Sequence, residues 1–303
     1  MAKAYIFYNP KAKNGQCTED VKKIENIIND DVIFCDMTKG ETYESRLFSM
    51  EKEDYLILCG GDGTLNHFIN LVEDVEIKND ILYFPCGSGN DFTKDLGHSY
   101  PSDPFSMKEY ITKLPCVVVN NKTYRFINGV GYGIDGYCCE EGDRQRETDT
   151  KTINYTVIAI KGLLFHYKPA TAKVTVDGVT HTYKKVWLAP TMNGRFYGGG
   201  MMPTPDQKRN SGKLSAMVFH NAGKLKALMI FPSLFKGEHI RHQKYVEILT
   251  GNEITVTFDR PTSLQIDGET IVNVMSYTAR SFQKGRIYGE NNDRRTEPNH
   301  FGV

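Results

Sequence analysis

The chain has 303 residues and a mass of 34.4 kDa, with 40% hydrophobic and 24% charged residues; that length suits two domains, and that composition buries a core and excludes general disorder. Lys plus Arg number 37, as do Asp plus Glu, so net charge is zero and nucleic-acid binding through whole-chain electrostatics is excluded. No apolar run approaches the roughly 20 residues of a membrane-spanning helix, the opening MAKAYIFYNP reads as a strand entering a turn rather than a signal peptide, and seven Cys without a CxxC pair fit a reduced, cytoplasmic protein.

In chain order, the first third alternates strands and helices. Residues 4–9 (AYIFYN) form a short apolar strand, ended by Pro10 and a polar loop to Gly15. Residues 18–29 place Val21, Ile24, Ile27 and Ile28 on one helical face. A second strand follows at 31–37, a helix at 41–50, a third strand at 54–60, a helix at 64–73 and a fourth strand at 81–86. This alternation implies right-handed crossovers and a parallel sheet, on which ligands sit at the carboxyl ends of the strands. The character changes near Pro115. From Val117 the runs are β-like and mostly alternate, with Gly, Asn or Asp between them. They predict an antiparallel sandwich with helical insertions at 153–167 and 223–231. The fold class is therefore α/β. An N-terminal parallel-sheet domain covers 1–115, a C-terminal antiparallel β-sandwich domain covers 116–290, and a polar tail covers 291–303.

The strongest motif is LCGGDGTLNHFIN (58–70). A buried strand runs into Gly60, Gly61, Asp62, Gly63 and Thr64 and straight on into a helix. The glycines let the backbone approach a ligand closely, and the free N–H groups of the helix start attract an anion. Asp62 beside a phosphate is repulsive unless a divalent cation bridges the two or Asp62 takes a proton from an attacking hydroxyl. Two further polar, glycine-bearing loops end neighbouring strands. One is NPKAKNG (9–15), with Asn9, Lys11, Lys13 and Asn14; the other is PCGSGNDFTKDLG (85–97), with Ser88, Asn90, Asp91 and Lys94. Three such loops feeding one crevice suit a polyphosphate, hence a nucleotide. No GxxxxGK[ST] sequence is present, so this is not a P-loop enzyme.

GGDGT after an apolar strand, the NPxxxxG opening and PxGSxNDF downstream resemble the diacylglycerol kinase and sphingosine kinase-type lipid kinase family, the soluble bacterial diacylglycerol kinases in particular. The resemblance continues through NGRFYGGGMMPTPDQKRNSGKL (193–214) and QIDGE (265–269), in the family's order. It implies an ATP- and Mg²⁺-dependent kinase that phosphorylates a lipid hydroxyl, giving a product such as phosphatidic acid. It also implies a sandwich domain that holds the lipid. By the resemblance, Asn9, Pro10, Lys11, Ala12, Lys13, Thr38, Gly60, Gly61, Asp62, Gly63, Thr64, Leu65, Asn66 and Ser88 contact the nucleotide. Glu269 is the proton acceptor with Asp267 beside it, and Asp62 shares the catalytic role. Asp62, Asp91 and Ser211 are the magnesium positions. Two positions depart from the pattern: Ser211 stands where the family has Asp, and Lys94 where it commonly has Arg, which removes bidentate phosphate contact. The partners implied are a lipid and a transient membrane surface for a cytoplasmic protein, peripheral at the membrane, with no nucleic acid. A homodimer is among the open oligomeric states. The rival readings are an NAD kinase, whose family shares GGDGT, and a catalytically silent lipid- or nucleotide-binding relative.

Other motifs read as structural. GYGIDG (131–136) is a glycine turn outside a βαβ unit. Glu238, His239 and His242 lack HExxH spacing and form a hydrogen-bonded or solvated group. The apolar stretches 156–167 and 227–235 pack a core or meet lipid, with Lys161, Lys168, Lys224, Lys226 and Lys236 beside them.

Overall fold

The computed structural model describes residues 2–10, 12–39, 43–72, 77–98, 103–148 and 155–282. Lys11, the side chain of Lys13 and the polar tail lie outside the described residues.

The first unit runs β1 (Lys3–Tyr8), α1 (Cys17–Lys22), β2 (Asp31–Asp36), α2 (Tyr43–Ser49), β3 (Tyr55–Gly60), α3 (Asp62–Leu71), β4 (Asp80–Pro85), α4 (Asp91–Asp95), β5 (Phe105–Ser106) and α5 (Lys108–Ile111). The sheet order is β2-β1-β3-β4-β5. The first four strands are parallel, and the two-residue β5 joins antiparallel to β4. Alternation places Ile6, Ile57 and Cys59 on one face against Val21 and Ile24 of the α1 region. Phe7, Leu56 and Leu58 face the other way, against Leu65, Phe68 and Ile69 of α3. The chain passes from β1 outward to β2, then returns to β3 on the other side of β1. The order thus reverses between β1 and β3, and a crevice opens at their carboxyl ends.

The second unit contains β6 (Cys116–Val119), β7 (Lys122–Arg125), β8 (Gly129–Tyr132), α6 (Ile134–Thr148), α7 (Tyr155–Lys161), β9 (Ala170–Val176), β10 (Val179–Val186), β11 (Thr191–Met192), β12 (Leu214–Phe219), α8 (Lys224–Ile230), β13 (Val246–Gly251), β14 (Glu253–Ile266) and β15 (Glu269–Arg280). All its pairings are antiparallel. Strand β14 links the halves. Ile254–Phe258 pair with β9, Leu264–Ile266 pair with β8, and the register against β15 shifts between them. That irregularity bends the strand so that one sheet folds over itself. Val174, Val256, Leu264, Val218 and Tyr277 meet in the enclosed core.

The helical insertions occur as α7 with a π-helical turn (Gly162–His166), and α8 with a 3-10 turn (Phe231–Lys236). Sequence analysis missed α6. GYGIDG is not a plain glycine turn: the chain leaves β8 at Gly133, φ +121°, and enters a 15-residue helix. That segment carries two glycines and no regular apolar stripe, so its periodicity is silent. The glycines serve packing: a Cβ on Gly136 would stand 1.9 Å from the Ser263 carbonyl oxygen of β14. No helix among the described residues is long and apolar enough to cross a membrane. We expect Gly136→Ala to push α6 off β14 and cost about 1–3 kcal/mol, read as a lower urea midpoint; an unchanged midpoint would mean that α6 is not held by this approach.

Candidate functional site

The three glycine-bearing loops meet at the crevice between β1 and β3. After β1, the Ala12 N–H donates to the Asn9 carbonyl at 3.0 Å and tightens the first loop. After β2, the Thr38 N–H and hydroxyl both donate to Asp36, at 2.9 and 2.7 Å, so the Thr38 oxygen keeps acceptor capacity for a ligand. After β3, the first helical bond of α3 runs from the Leu65 N–H to the Gly61 carbonyl. The N–H groups of Asp62, Gly63 and Thr64 have no protein acceptor among the described residues. They form the positive end of a ten-residue helix. The buried Tyr83 hydroxyl donates to the Gly60 carbonyl at 2.9 Å and holds this strand end. The second and third loops touch backbone to backbone: a Cβ on Gly87 would stand 2.3 Å from Gly61 Cα. Ser88 is exposed beside this contact.

Asp62 accepts from the N–H groups of Asp91 and Phe92, each at 3.0 Å, and from Asn128 Nδ2 at 3.0 Å. It caps α4 from another element. Asn90, in the left-handed region at φ 51°, folds its amide back onto Gly87 and lets the chain enter α4. Asp91 Oδ2 accepts from the Gly199 N–H at 2.7 Å. Its Oδ1 is buried with no hydrogen bond among the described residues, and Lys94 Nζ stands 3.8 Å away. Burial, and then the Asp62 charge, push the Asp91 carboxyl up to about 7.

The late carboxylates behave differently from each other. Asp267 is buried and accepts four hydrogen bonds, from the N–H groups of Ile127, Asn128 and Gly129 at 2.6, 2.8 and 2.9 Å and from Asn66 Nδ2 at 3.0 Å. It ties α3 to the start of β8. A carboxylate so occupied positions its neighbours rather than exchanging protons with a substrate. Glu269 opens β15 with its side chain exposed. Its Oε1 lies 3.9 Å from where a Cβ on Gly63 would sit, so it faces the start of α3. The surrounding protein, and then the charges of Asp143 and Asp267, raise the Glu269 carboxyl above its ordinary range, with Arg146 opposing.

Ser211 makes no hydrogen bond to Asp62 or Asp91 among the described residues. Its hydroxyl donates to the Lys213 carbonyl at 3.3 Å, and it lines a separate cavity of about 260 Å³ with Gln207 and Ser215. Among the described residues no group of three or more His, Cys, Asp or Glu is placed to hold a metal. His239 is buried and hydrogen-bonds the Pro203 carbonyl at 2.8 Å, the structural role expected for it.

Several site residues escaped sequence reasoning. Asn128 joins Asp62 to Arg209, whose guanidinium donates to Asn128 Oδ1 at 2.6 Å and pairs with Asp95. Arg195 pairs with Asp95 at 2.9 Å. Asp143 of α6 accepts from the Thr270 hydroxyl at 2.6 Å, next to Glu269. Isolated Asn, Arg and Asp residues, on loops or on helices without an apolar stripe, carry no local signal. The run of three glycines at 198–200, all at positive φ, marks the strand-end loop that reaches Asp91.

A parallel sheet with glycine-rich loops at its switch point, closed by an antiparallel sandwich, is the two-domain plan of lipid kinase-type phosphotransferases. Residues 3–114 match the diacylglycerol kinase catalytic domain, residues 128–280 match the YegS C-terminal NAD kinase beta sandwich-like domain, and the chain belongs to this kinase family. A Staphylococcus aureus (strain MSSA476) protein named "Putative lipid kinase SAS0691" is 26% identical over 252 residues, spanning 79% of this chain and 76% of its own. Two solved structures from Bacillus anthracis str. Sterne, a diacylglycerol kinase and a "putative diacylglycerol kinase", each cover 93% of this chain. They cover 94% and 92% of their own chains, at 18% and 19% identity and TM-scores of 0.60 and 0.65. That likeness is one of fold.

The two late carboxylates separate by substitution. Asp267→Ala strands three buried backbone N–H groups and an amide, and should cost about 3 kcal/mol or more in urea unfolding. Glu269→Gln should stay within about 0.5 kcal/mol of the parent. Equal costs for the two would contradict this division of roles.

Proposed function

We propose that this chain is an ATP-dependent kinase that transfers the γ-phosphate to the hydroxyl of a diacylglycerol-like or sphingoid-like lipid, producing a phospholipid-type monoester. The observation that carries the reading is the start of α3: three N–H groups without a protein acceptor among the described residues, at the sheet's switch point, faced by Glu269 across Gly63. In this reading the nucleotide phosphates rest on Gly60–Leu65 and on the loop Asn9–Lys13, with Thr38 and Ser88 at the sides and Asn66 behind. The lipid hydroxyl attacks the γ-phosphorus as the bond to the β–γ bridging oxygen breaks, ADP leaves, and Glu269 takes the hydroxyl proton. A carboxyl raised above its ordinary range is better matched to that task near neutral pH.

Mg²⁺ held mainly through phosphate oxygens needs only one or two protein carboxylates. Asp91, with its orphaned buried Oδ1, fits that need. Asp62, whose oxygens already meet three N–H donors, fits it less, and its cap on α4 keeps Asp91 in place. The metal, when bound, would neutralise phosphate charge. The acceptor is met at a membrane surface by a cytoplasmic protein.

The test is transfer of labelled γ-phosphate from ATP and Mg²⁺ to a detergent-dispersed lipid panel, with NAD as a parallel acceptor. Label should appear on a lipid. Glu269→Gln should lower kcat by about 10²- to 10⁴-fold. The base must be ionised to act, so kcat/KM should fall as pH drops through its raised pKa, at a higher pH than the roughly 4.3 of an ordinary Glu. Glu269→Gln should erase that limb. Label on NAD alone, or on no acceptor, would overturn the reading.

A further inference from the structure

The GYGIDG stretch holds a carboxylate that the proposed chemistry leaves unused. Asp135 lies in the first turn of α6 and is buried, with neither oxygen hydrogen-bonded among the described residues. An Asp at that place ordinarily caps its helix or meets water. This one turns back over β8 instead. A Cβ on Gly131 would collide with Asp135 Oδ2 and with Gln265 Nε2 of β14 alike, so a glycine leaves the room in which these two polar atoms converge. The Tyr197 hydroxyl stands on another side, buried and likewise without a hydrogen bond among the described residues. Burial pushes the Asp135 carboxyl up to about 6, and the Gly136 N–H, the Tyr197 hydroxyl and the Gln265 amide stand close enough to oppose that shift. The other ionisable groups that act on it, Tyr167, Tyr277, Cys138 and Cys139, are kept neutral by burial.

Gln265 carries the effect outward. It is buried, and its Oε1 accepts from the Gly268 N–H at 2.7 Å. A carboxylate only accepts hydrogen bonds, so Asp135 attracts the Nε2 end of the amide and leaves the Oε1 end to Gly268. Asp267, with its four donors, sets where the turn sits. Gly268, at φ +103° and without a Cβ, is the free link between that tie and Glu269. The amide holds this link.

We propose that Asp135 is a positioning residue: it orients the Gln265 amide, and through Gly268 that amide holds Glu269 over the start of α3. The proposal deepens the kinase reading and rests on Glu269 as the proton acceptor. Tyr197 belongs to the same loop as Gly199, whose N–H meets Asp91. The buried carboxylate thus stands behind both the proposed base and the proposed metal ligand.

The test reverses the polarity of the pair in the full chain, with kcat and KM for ATP measured on the phosphorylated lipid. Gln265→Glu places a second carboxyl beside Asp135. Protonated, it donates to Asp135 as the amide did; ionised, it repels Asp135 and releases the turn. The ratio of its kcat to the parent's should be near one at about pH 6 and about tenfold or more lower at about pH 9, with KM for ATP unchanged. Asp135→Asn no longer selects one end of the amide and should lower kcat about threefold at every pH. Asp135→Asn combined with Gln265→Glu lets the Asn amide donate to the new carboxylate. At high pH its kcat should recover to within about threefold of the parent. Changes in the urea midpoints with a kcat ratio that ignores pH would mean a purely structural contact and overturn the proposal. So would a double variant no better than Gln265→Glu. A parent that phosphorylates no lipid sinks the kinase reading and the positioning role together, whereas an active parent with an unmoved ratio sinks the positioning role alone.

Discussion

The junction of the two units turns on one buried carboxylate. Asp267 sits at φ 47° in the turn between β14 and β15 and collects four N–H donors, one from α3 and three from the start of β8. A buried charge is costly unless hydrogen bonds replace its water, and here they do. Through Asn66 the turn is fastened to the helix whose N-terminus is the proposed anion site. Two residues later the chain delivers Glu269 over that same terminus. The spacing between the anion site and the carboxylate thus follows from a single tie.

Around it, four acids hold four different environments. Asp62 is engaged as a cap by two backbone N–H groups and an amide. Asp267 is saturated. Asp91 is buried with one oxygen hydrogen-bonded and the other met, among the described residues, only by Lys94 at 3.8 Å. Glu269 is exposed on one side and crowded by acids on the other. Environment, rather than residue type, separates carboxylates that brace the site from carboxylates with capacity for a ligand or a proton. Lys94, Arg195 and Arg209 gather on the α4 side, where they pair with Asp91 and Asp95.

Much of the first unit was legible because its signals are local. Apolar strands such as YLILCG, followed without a gap by DGTLNHFINL, state their own secondary structure, and the glycines between them announce an anion site. The second unit was legible as β structure, with alternation and turn residues. Helix α6 was not, because IDGYCCEEGDRQRET carries no stripe and its glycines are explained only by the strand and the helix that they let approach. Ser211 illustrates the converse: a motif position that suggested a metal, yet one whose hydroxyl bonds within its own turn.

Local chemistry was enough to point to the candidate phosphate site, since a strand, three glycines and a helix start are contiguous from Leu58 to Asn70. What could not be read along the chain is which acid does what. Asp62 meets Asn128, Asn66 meets Asp267, and Gly63 faces Glu269. These partners lie far apart in sequence, and folding alone decides whether a carboxylate finds N–H groups, an empty lone pair or solvent.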